Sequence, residues 1–114
     1  MNRGSTCLVE YPFSDGTGAK VRPVLVVSND DFNRGADVVV VPISSRPNQA
    51  DPYSVFIDEN SSVFQGTGLR RSSSVKWSKP FTLDKSLLIR RLGALDERLA
   101  QRVSDAIVTL FARV

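Results

Sequence analysis

The chain has 114 residues, of which 41% are hydrophobic and 24% are charged, with one cysteine and no histidine. This length supports one domain with a modest hydrophobic core, and we expect residues 1–114 to form it. A single cysteine excludes an internal disulfide framework, and the lack of histidine removes the commonest metal ligand and the commonest general acid–base. We therefore expect neither a metal ion nor another cofactor.

Neither a membrane span nor a secretory signal is visible in the sequence. No apolar run approaches the roughly 20 residues that cross a bilayer, and no apolar stretch follows the first residues as it does in a signal peptide. Together with the single cysteine, this pattern predicts a cytoplasmic protein with no membrane partner.

The net charge of +3 is distributed unevenly along the chain. Residues 1–60 contain 5 basic and 8 acidic side chains, whereas residues 61–114 contain 10 basic and 4 acidic ones. Such a basic half is typical of an ordinary solvated surface, and it also attracts phosphate groups. Charge alone therefore leaves open both a plain surface and a face that binds nucleic acid.

The first half of the chain predicts three short strands separated by polar turns. A weakly alternating strand over residues 8–13 ends at the Gly-rich segment 14–18, which is a hairpin loop or a flap over a site. This segment lacks the Gly-Lys-Ser/Thr ending and the following helix of a P-loop. Residues 24–27 are apolar and mostly β-branched, which favours a buried strand that begins at Pro23. A second buried strand is predicted at 38–43.

The second half predicts further short strands and one helix. Strands are expected at 53–57, at 73–77 with half-exposed side chains, and at 88–94, and a turn or short helix start at 82–86. Asp96 is well placed as the N-cap of the only clearly helical segment. The apolar residues at helical spacing in that segment are Leu95, Leu99, Val103, Ala106, Ile107 and Leu110. Five to seven short strands before one helix indicate a mainly β fold, a small barrel or sandwich.

Polar residues lie at the start of one predicted buried strand and at the end of the next. Arg22 precedes the first of these strands, and Ser44 follows the second. If the two strands are antiparallel neighbours, both residues come to the same end of the sheet. A guanidinium donates to two phosphate oxygens at once, and a hydroxyl supplies another donor. The pair is therefore a candidate phosphodiester site, and an ion pair for Arg22 with a turn cap at Ser44 is the alternative.

Two other residues have both a structural and a functional interpretation. Cys7 lies in a predicted strand, where core packing is favoured over a reactive thiol. Trp77 lies between Lys76 and Lys79. Its ring either packs in the core or an interface, or is exposed and stacks on a base, which is worth roughly 1–3 kcal/mol.

An ordered set of motifs resembles the MazF/PemK/Kid family of toxins. Its opening runs from Tyr11-Pro12-Phe13-Ser14-Asp15-Gly16 to Arg22-Pro23-Val24-Leu25-Val26-Val27-Ser28-Asn29-Asp30, and its second motif is Val41-Pro42-Ile43-Ser44-Ser45. The C-terminal half adds Gly68-Leu69, Ser74-Val75, Thr82-Leu83-Asp84 and Leu92-Gly93-Ala94-Leu95. The likeness covers the chain from about residue 3 to residue 111.

This resemblance implies a small SH3-like barrel with a C-terminal α-helix that forms a homodimer. It implies the toxin of a type II toxin–antitoxin pair, neutralised by a cognate antitoxin protein. The implied activity is metal-independent, sequence-specific cleavage of single-stranded RNA. Of the family's catalytic residues, the arginine matches Arg22 and the threonine falls on Ser44, which keeps the hydroxyl and loses the methyl group.

The resemblance also suggests residues that contact RNA. Some family members place an Arg and an Asp where this chain has Lys76 and Ser78, so the positive charge is kept and the negative charge is lost. Besides the catalytic pair Arg22 and Ser44, we assign RNA binding to Lys20, Ser45, Arg46, Lys76, Trp77, Ser78 and Lys79.

The expected reaction is attack of a ribose 2′-hydroxyl on its own 3′-phosphate, which leaves a cyclic phosphate and a 5′-hydroxyl. Arg22 would stabilise the phosphorane and Ser44 would hold a phosphate oxygen. Glu10 is a candidate general base from its strand position. Two rivals remain: a protein-binding toxin such as a CcdB-like gyrase poison, and a degenerate member that binds without cutting.

Overall fold

The fold is an antiparallel β-sheet followed by one helix. The computed structural model describes residues 1–12 and 19–113. The strands in this part of the chain are β1 (Ser5–Pro12), β2 (Ala19–Val26), β3 (Asp37–Ser44), β4 (Val55–Ile57), β5 (Ser73–Val75), β6 (Phe81–Asp84) and β7 (Leu88–Ala94), and the helix is α1 (Glu97–Phe111). The predicted mainly β fold with five to seven strands and a C-terminal helix is confirmed, whereas the Gly-rich segment 14–18 lies outside the described residues.

The strand β3 is shared between two parts of the sheet. The strands are ordered β4-β5-β3-β2-β1-β7, and β6 pairs with β3 outside this path. Val40 pairs with both Val26 of β2 and Phe81 of β6, whereas Ile43 and Ser44 pair with β5. Because one strand changes partners along its length, the sheet curls into the small barrel that the sequence predicts. No described helix is long and apolar enough to cross a membrane.

The two buried strands β2 and β3 contribute side chains to two apolar clusters. Leu25 and Val41 belong to a cluster with Ile43, Val55, Ile57, Val75, Trp77, Leu95, Ala100 and Val103. Val24, Val26, Val38 and Val40 belong to a cluster with Cys7 and Val9. Successive residues of a strand point to opposite faces, so burial on both faces explains the unbroken apolar runs. Cys7 is fully buried as predicted, and burial raises the pKa of its thiol.

The structure corrects three details of the predicted strands. β2 begins at Ala19 rather than at Pro23, and the proline is accommodated because the ladder with β3 starts only at Val24. β5 ends at Val75, and its three residues are buried rather than half-exposed because it lies between β3 and β4. Residues 81–84, which overlap the predicted turn at 82–86, form β6, and the expected short helix start follows as a 3₁₀ turn, Lys85–Leu87.

The helix α1 begins where the sequence predicts. The Asp96 side chain is the N-cap and accepts a hydrogen bond from the Arg98 N–H at 3.0 Å. Near the other end of the chain, the Arg3 guanidinium donates to the Glu97 carboxylate at 2.6 Å and to Ser104 Oγ at 3.3 Å. The Asp96 cap and the ion pair between Arg3 and Glu97 together hold the start of α1 over the apolar cluster that contains Leu95 and Trp77.

Candidate active site

A groove of about 990 Å³ crosses one side of the barrel. Its floor is formed by residues of four neighbouring strands in the order β7, β1, β2 and β3, and one wall is residues 68–71. Polar and apolar groups both line it, with Leu8, Pro23 and Leu92 among the apolar ones. The groove therefore offers a ligand both polar and apolar contacts.

The pairing of β2 with β3 brings the two predicted catalytic residues together. Val24 lies opposite Pro42 in this antiparallel ladder, and extending the register by two residues places Arg22 opposite Ser44. Both residues line the groove. Ser44 Oγ accepts the N–H of Arg46 at 3.2 Å, which orients the hydroxyl and leaves its proton to be donated. The arrangement offers a phosphate the forked guanidinium donor and a neighbouring hydroxyl donor.

Basic residues dominate the charged lining of the groove. Within the described residues its lining includes no Asp or Glu. The six basic residues that line it are Lys20, Arg22, Arg46, Arg70, Arg71 and Arg90. The ion pairs between Arg3 and Glu97 and between Arg34 and Asp31 lie outside the groove. A concave surface with one sign of charge concentrates ligands of the opposite sign. The groove is therefore suited to a polyanion.

The wall at 68–71 is held against β7 by close backbone contacts at two glycines. A Cβ at Gly68 would lie 2.3 Å from the Leu92 carbonyl oxygen, and Gly68 has a φ of +70°, which favours glycine. A Cβ at Gly93 would lie 2.3 Å from the Gly66 carbonyl oxygen. Thr6 Oγ1 also donates to the Thr67 carbonyl at 2.6 Å. These contacts fix the position from which Arg70 and Arg71 enter the groove.

The structure places the predicted site residues in two groups. The groove brings together Arg22 and Ser44 with Lys20, Ser45 and Arg46. The other predicted RNA contacts, which follow β5 and do not line this groove, are Lys76, Trp77, Ser78 and Lys79.

Trp77 belongs to the core rather than to the groove. Its residue is only 7% exposed, and Tyr53 contacts its ring edge-on with the ring centroids 5.7 Å apart. In this position the ring offers no free face to a base, so the structure favours the core interpretation over base stacking. The flanking lysines suggested exposure, but a buried ring under Tyr53 depends on contacts that are distant in the sequence.

Three groove arginines were missed as site residues. Arg70, Arg71 and Arg90 belong to the basic half of the chain, for which charge alone leaves open a plain surface or a face that binds nucleic acid. For the first two the sequence carries a signal, because the Gly66-Thr67-Gly68 turn lies one residue before the two arginines and favours a fixed segment there. For Arg90 the sequence carries no such signal.

The carboxylates of the described residues lie outside the groove. Glu10 is exposed on β1 and does not line the groove, which gives no support to its assignment as general base. No group of three or more His, Cys, Asp or Glu side chains in the described ranges is arranged to hold a metal ion.

The antiparallel sheet with its C-terminal helix has the fold of solved toxin endoribonucleases. An endoribonuclease in complex with its cognate antitoxin, from mycobacterial species, matches with a TM-score of 0.73 and 26% identity, covering 97% of this chain and 94% of that chain. A MazE–MazF structure from Deinococcus radiodurans shares the fold with a TM-score of 0.76 at 18% identity, covering 97% of this chain and 95% of that chain.

The sequence comparison defines the family. The probable endoribonuclease MazF of Mycolicibacterium smegmatis is 33% identical over 89 residues, which is 78% of each chain. Residues 2–111 match the family described as PemK-like, MazF-like toxin of type II toxin–antitoxin system. The chain belongs to this family of toxins.

Proposed function

We propose that this toxin is an endoribonuclease that cleaves single-stranded RNA in the groove. The observation that carries the proposal is the placement of Arg22 opposite Ser44 in a groove whose described lining has six cations and no acid. The mycobacterial relative and the mycobacterial structure, both named as endoribonucleases, support it. A toxin that acts by wedging a partner protein has no need of an Arg–Ser pair aimed at a phosphate.

The proposed chemistry is an internal displacement at phosphorus. The ribose 2′-oxygen attacks the adjacent phosphorus and loses its proton to water, while the bond from phosphorus to the 5′-oxygen breaks and that oxygen gains a proton from water. The products are a cyclic phosphate and a 5′-hydroxyl end. Arg22 donates to the non-bridging oxygens, where negative charge builds in the phosphorane, and Ser44 donates to one of the same oxygens.

The proposed site works mainly by electrostatic stabilisation. A guanidinium does not give up its proton in proteins, so Arg22 is a charge and a donor rather than a base. No carboxylate of the described residues lines the groove, and the chain has no histidine. The enzyme therefore holds the phosphate among fixed donors and leaves proton removal to water, which predicts a modest rate.

The proposal includes the partners that such a toxin requires. We infer that a cognate antitoxin covers the groove, since the related mycobacterial structure is a complex with its antitoxin. A protein segment with carboxylate side chains would complement the cations of the groove. We also infer a homodimer acting in the cytoplasm, and light scattering of the purified toxin tests the dimer.

A cleavage assay tests the proposal. The purified toxin is incubated in EDTA with a long single-stranded RNA of varied sequence, beside Arg22→Ala and the control Arg102→Ala on α1. We expect discrete cuts with 5′-hydroxyl and cyclic phosphate ends that are lost only in Arg22→Ala. Absence of cuts by the unmodified toxin would overturn the proposal, and a topoisomerase inhibition assay would then separate a gyrase poison from a member that binds without cutting.

A further inference from the structure

The groove has a second cationic end, two strands away from Arg22 and three strands away from Ser44. Leu8 of β1 pairs with Pro23 of β2 on one side and with Arg90 of β7 on the other. Neighbouring strands lie about 4.8 Å apart, so the backbones of β7 and β2 are separated by roughly 10 Å. Arg90 therefore lines the groove at the opposite edge of its floor from the Arg22–Ser44 pair.

Irregular pairing of β7 sets the direction of Arg90. Leu8 pairs with Arg90 and Val9 with Leu88, so the register skips Ile89, and a second shift skips Leu92. Bulges re-aim side chains and often lie beside active sites. As a result Arg90 faces the groove, whereas its neighbour Arg91 lies outside the groove lining and donates through Nε to Ser5 Oγ at 3.3 Å.

The floor between the two cationic ends is apolar. Leu8 and Pro23 are both half-buried and lie between Arg90 and Arg22. An apolar surface suits the face of a base or a sugar, and it offers no donor to a phosphate. Arg90, Leu8 and Pro23 form one row across β7, β1 and β2, and Arg22 adjoins Pro23 along β2. The groove lining therefore has an apolar floor between two cations, which matches the phosphate, nucleoside and phosphate of an RNA strand.

Arg90 is available for a ligand. It is exposed, and none of the hydrogen bonds or ion pairs among the described residues engages its guanidinium. An exposed arginine without a carboxylate beside it keeps its full charge and all of its donors for an incoming anion.

We propose that Arg90 binds a second phosphate of the RNA strand, so that the nucleoside between this phosphate and the scissile one lies on Leu8 and Pro23. The inference rests on the proposed function and adds a positioning residue to it. Arg90 holds the strand in register over the Arg22–Ser44 pair and does not touch the reacting atoms.

The test compares Arg90→Ala with Arg91→Ala, a matched control one residue away on the same strand. Affinity is measured for a short RNA that carries the cleavage sequence with a 2′-deoxy sugar at the cut, so that it binds without reacting. Each phosphate near the cut is then replaced in turn by a neutral methylphosphonate. Thermal unfolding of both variants verifies that they fold.

A contact between Arg90 and one phosphate predicts a specific pattern. Arg90→Ala should weaken binding roughly ten- to hundredfold, as the loss of charge-assisted hydrogen bonds does, while Arg91→Ala binds nearly normally. One neutral linkage should weaken the unmodified toxin by a similar factor and leave Arg90→Ala almost unaffected. In cleavage of normal RNA, Arg90→Ala should raise KM and leave kcat nearly unchanged. Arg90→Lys should recover part of the lost affinity.

Two results would overturn the inference, and they differ from failure of the proposed function. Equal binding by the Arg90→Ala and Arg91→Ala variants removes the subsite while cleavage by the unmodified toxin still stands. The subsite is also ruled out if, at every position, a neutral linkage weakens RNA binding by the unmodified toxin and by Arg90→Ala to the same extent. If the unmodified toxin neither cuts nor binds the RNA, the proposed function falls together with the subsite.

Discussion

Two residues beyond the last pair of the β2–β3 ladder, Val24 with Pro42, the same register places Arg22 opposite Ser44, and both residues line the groove. In the proposed reaction both side chains bind the same phosphate, so we expect their effects on cleavage to be coupled. Arg22→Ala should lower kcat/KM about 10²–10³-fold, as removal of a transition-state donor does. Ser44→Ala should cost about tenfold or more. The double variant should lose clearly less than the product of the two factors, whereas full multiplicativity would indicate independent roles.

The salt dependence of RNA binding should show whether the arginines of the groove wall contact phosphates. Each phosphate neutralised on a single strand contributes about 0.7 to the slope of log affinity against log salt concentration. Arg71→Ala should therefore reduce the slope by about 0.7. Arg102→Ala, on the exposed face of α1, should leave it unchanged. Equal slopes for the two variants would contradict a phosphate contact at Arg71.

Ser74 and Ser73 form a natural pair for testing buried hydroxyls. Both are buried in β5, but Ser73 Oγ donates to the Arg71 carbonyl at 2.9 Å, whereas Ser74 Oγ has no hydrogen-bond partner among the described residues. A buried unpaired hydroxyl carries a desolvation cost of about 1–3 kcal/mol. Ser74→Ala should therefore leave the free energy of unfolding unchanged or raise it, and Ser73→Ala should lower it by about 1 kcal/mol in urea titrations.

Gly93→Ala should damage both stability and the groove. The added Cβ would overlap the Gly66 carbonyl, and overpacking of this kind costs about 1–3 kcal/mol. The 66–71 segment must then move away from β7, so RNA affinity should fall as well. Gly66→Ala is the control, because its Cβ would be 3.9 Å from the nearest atom, the Ala94 carbonyl oxygen. Similar unfolding curves for the two variants would contradict the tight contact.

Asp84 should contribute a small acid-sensitive part of the stability. Its carboxylate accepts the Ser86 backbone N–H at 2.8 Å, and this bond, followed by the bond to the Ser86 side chain, holds the pKa below its ordinary value of 3.8. The charged form is favoured in the folded state, so the contribution is present above 3.8 and is lost as the pH falls through the folded pKa. Asp84→Asn should lower stability near neutral pH, and the difference should shrink in unfolding curves recorded below about pH 4.

Local patterns in the sequence correctly predicted those elements in which the residue types match the burial found in the structure. The valines of β3 are unbroken because both faces are buried, β7 has the predicted bounds, and Asp96 caps α1 as expected. The juxtaposition of Arg22 and Ser44 followed from the default pairing of sequential strands. These inferences needed only nearest-neighbour information along the chain.

The remaining features depend on contacts that a single sequence does not display. β6 has turn-forming residues such as Thr82 and Asp84, and only its pairing with β3 makes it a strand. The difference between Arg90 and Arg91 is created by two shifts of register against β1. Trp77 is flanked by lysines, yet long-range packing with Tyr53 buries it.

The contact between the two glycine-containing segments also bears on how such a toxin diverges. Gly68 and Gly93 join the groove wall to β7 so closely that insertion, deletion or a bulkier residue there would shift the wall as a whole. Changes of preferred RNA sequence are therefore expected to accumulate as exchanges of side chains on an unchanged backbone, at positions such as 69–71 and 90. A library that randomises these positions and spares both glycines should yield altered cleavage preferences while retaining the fold.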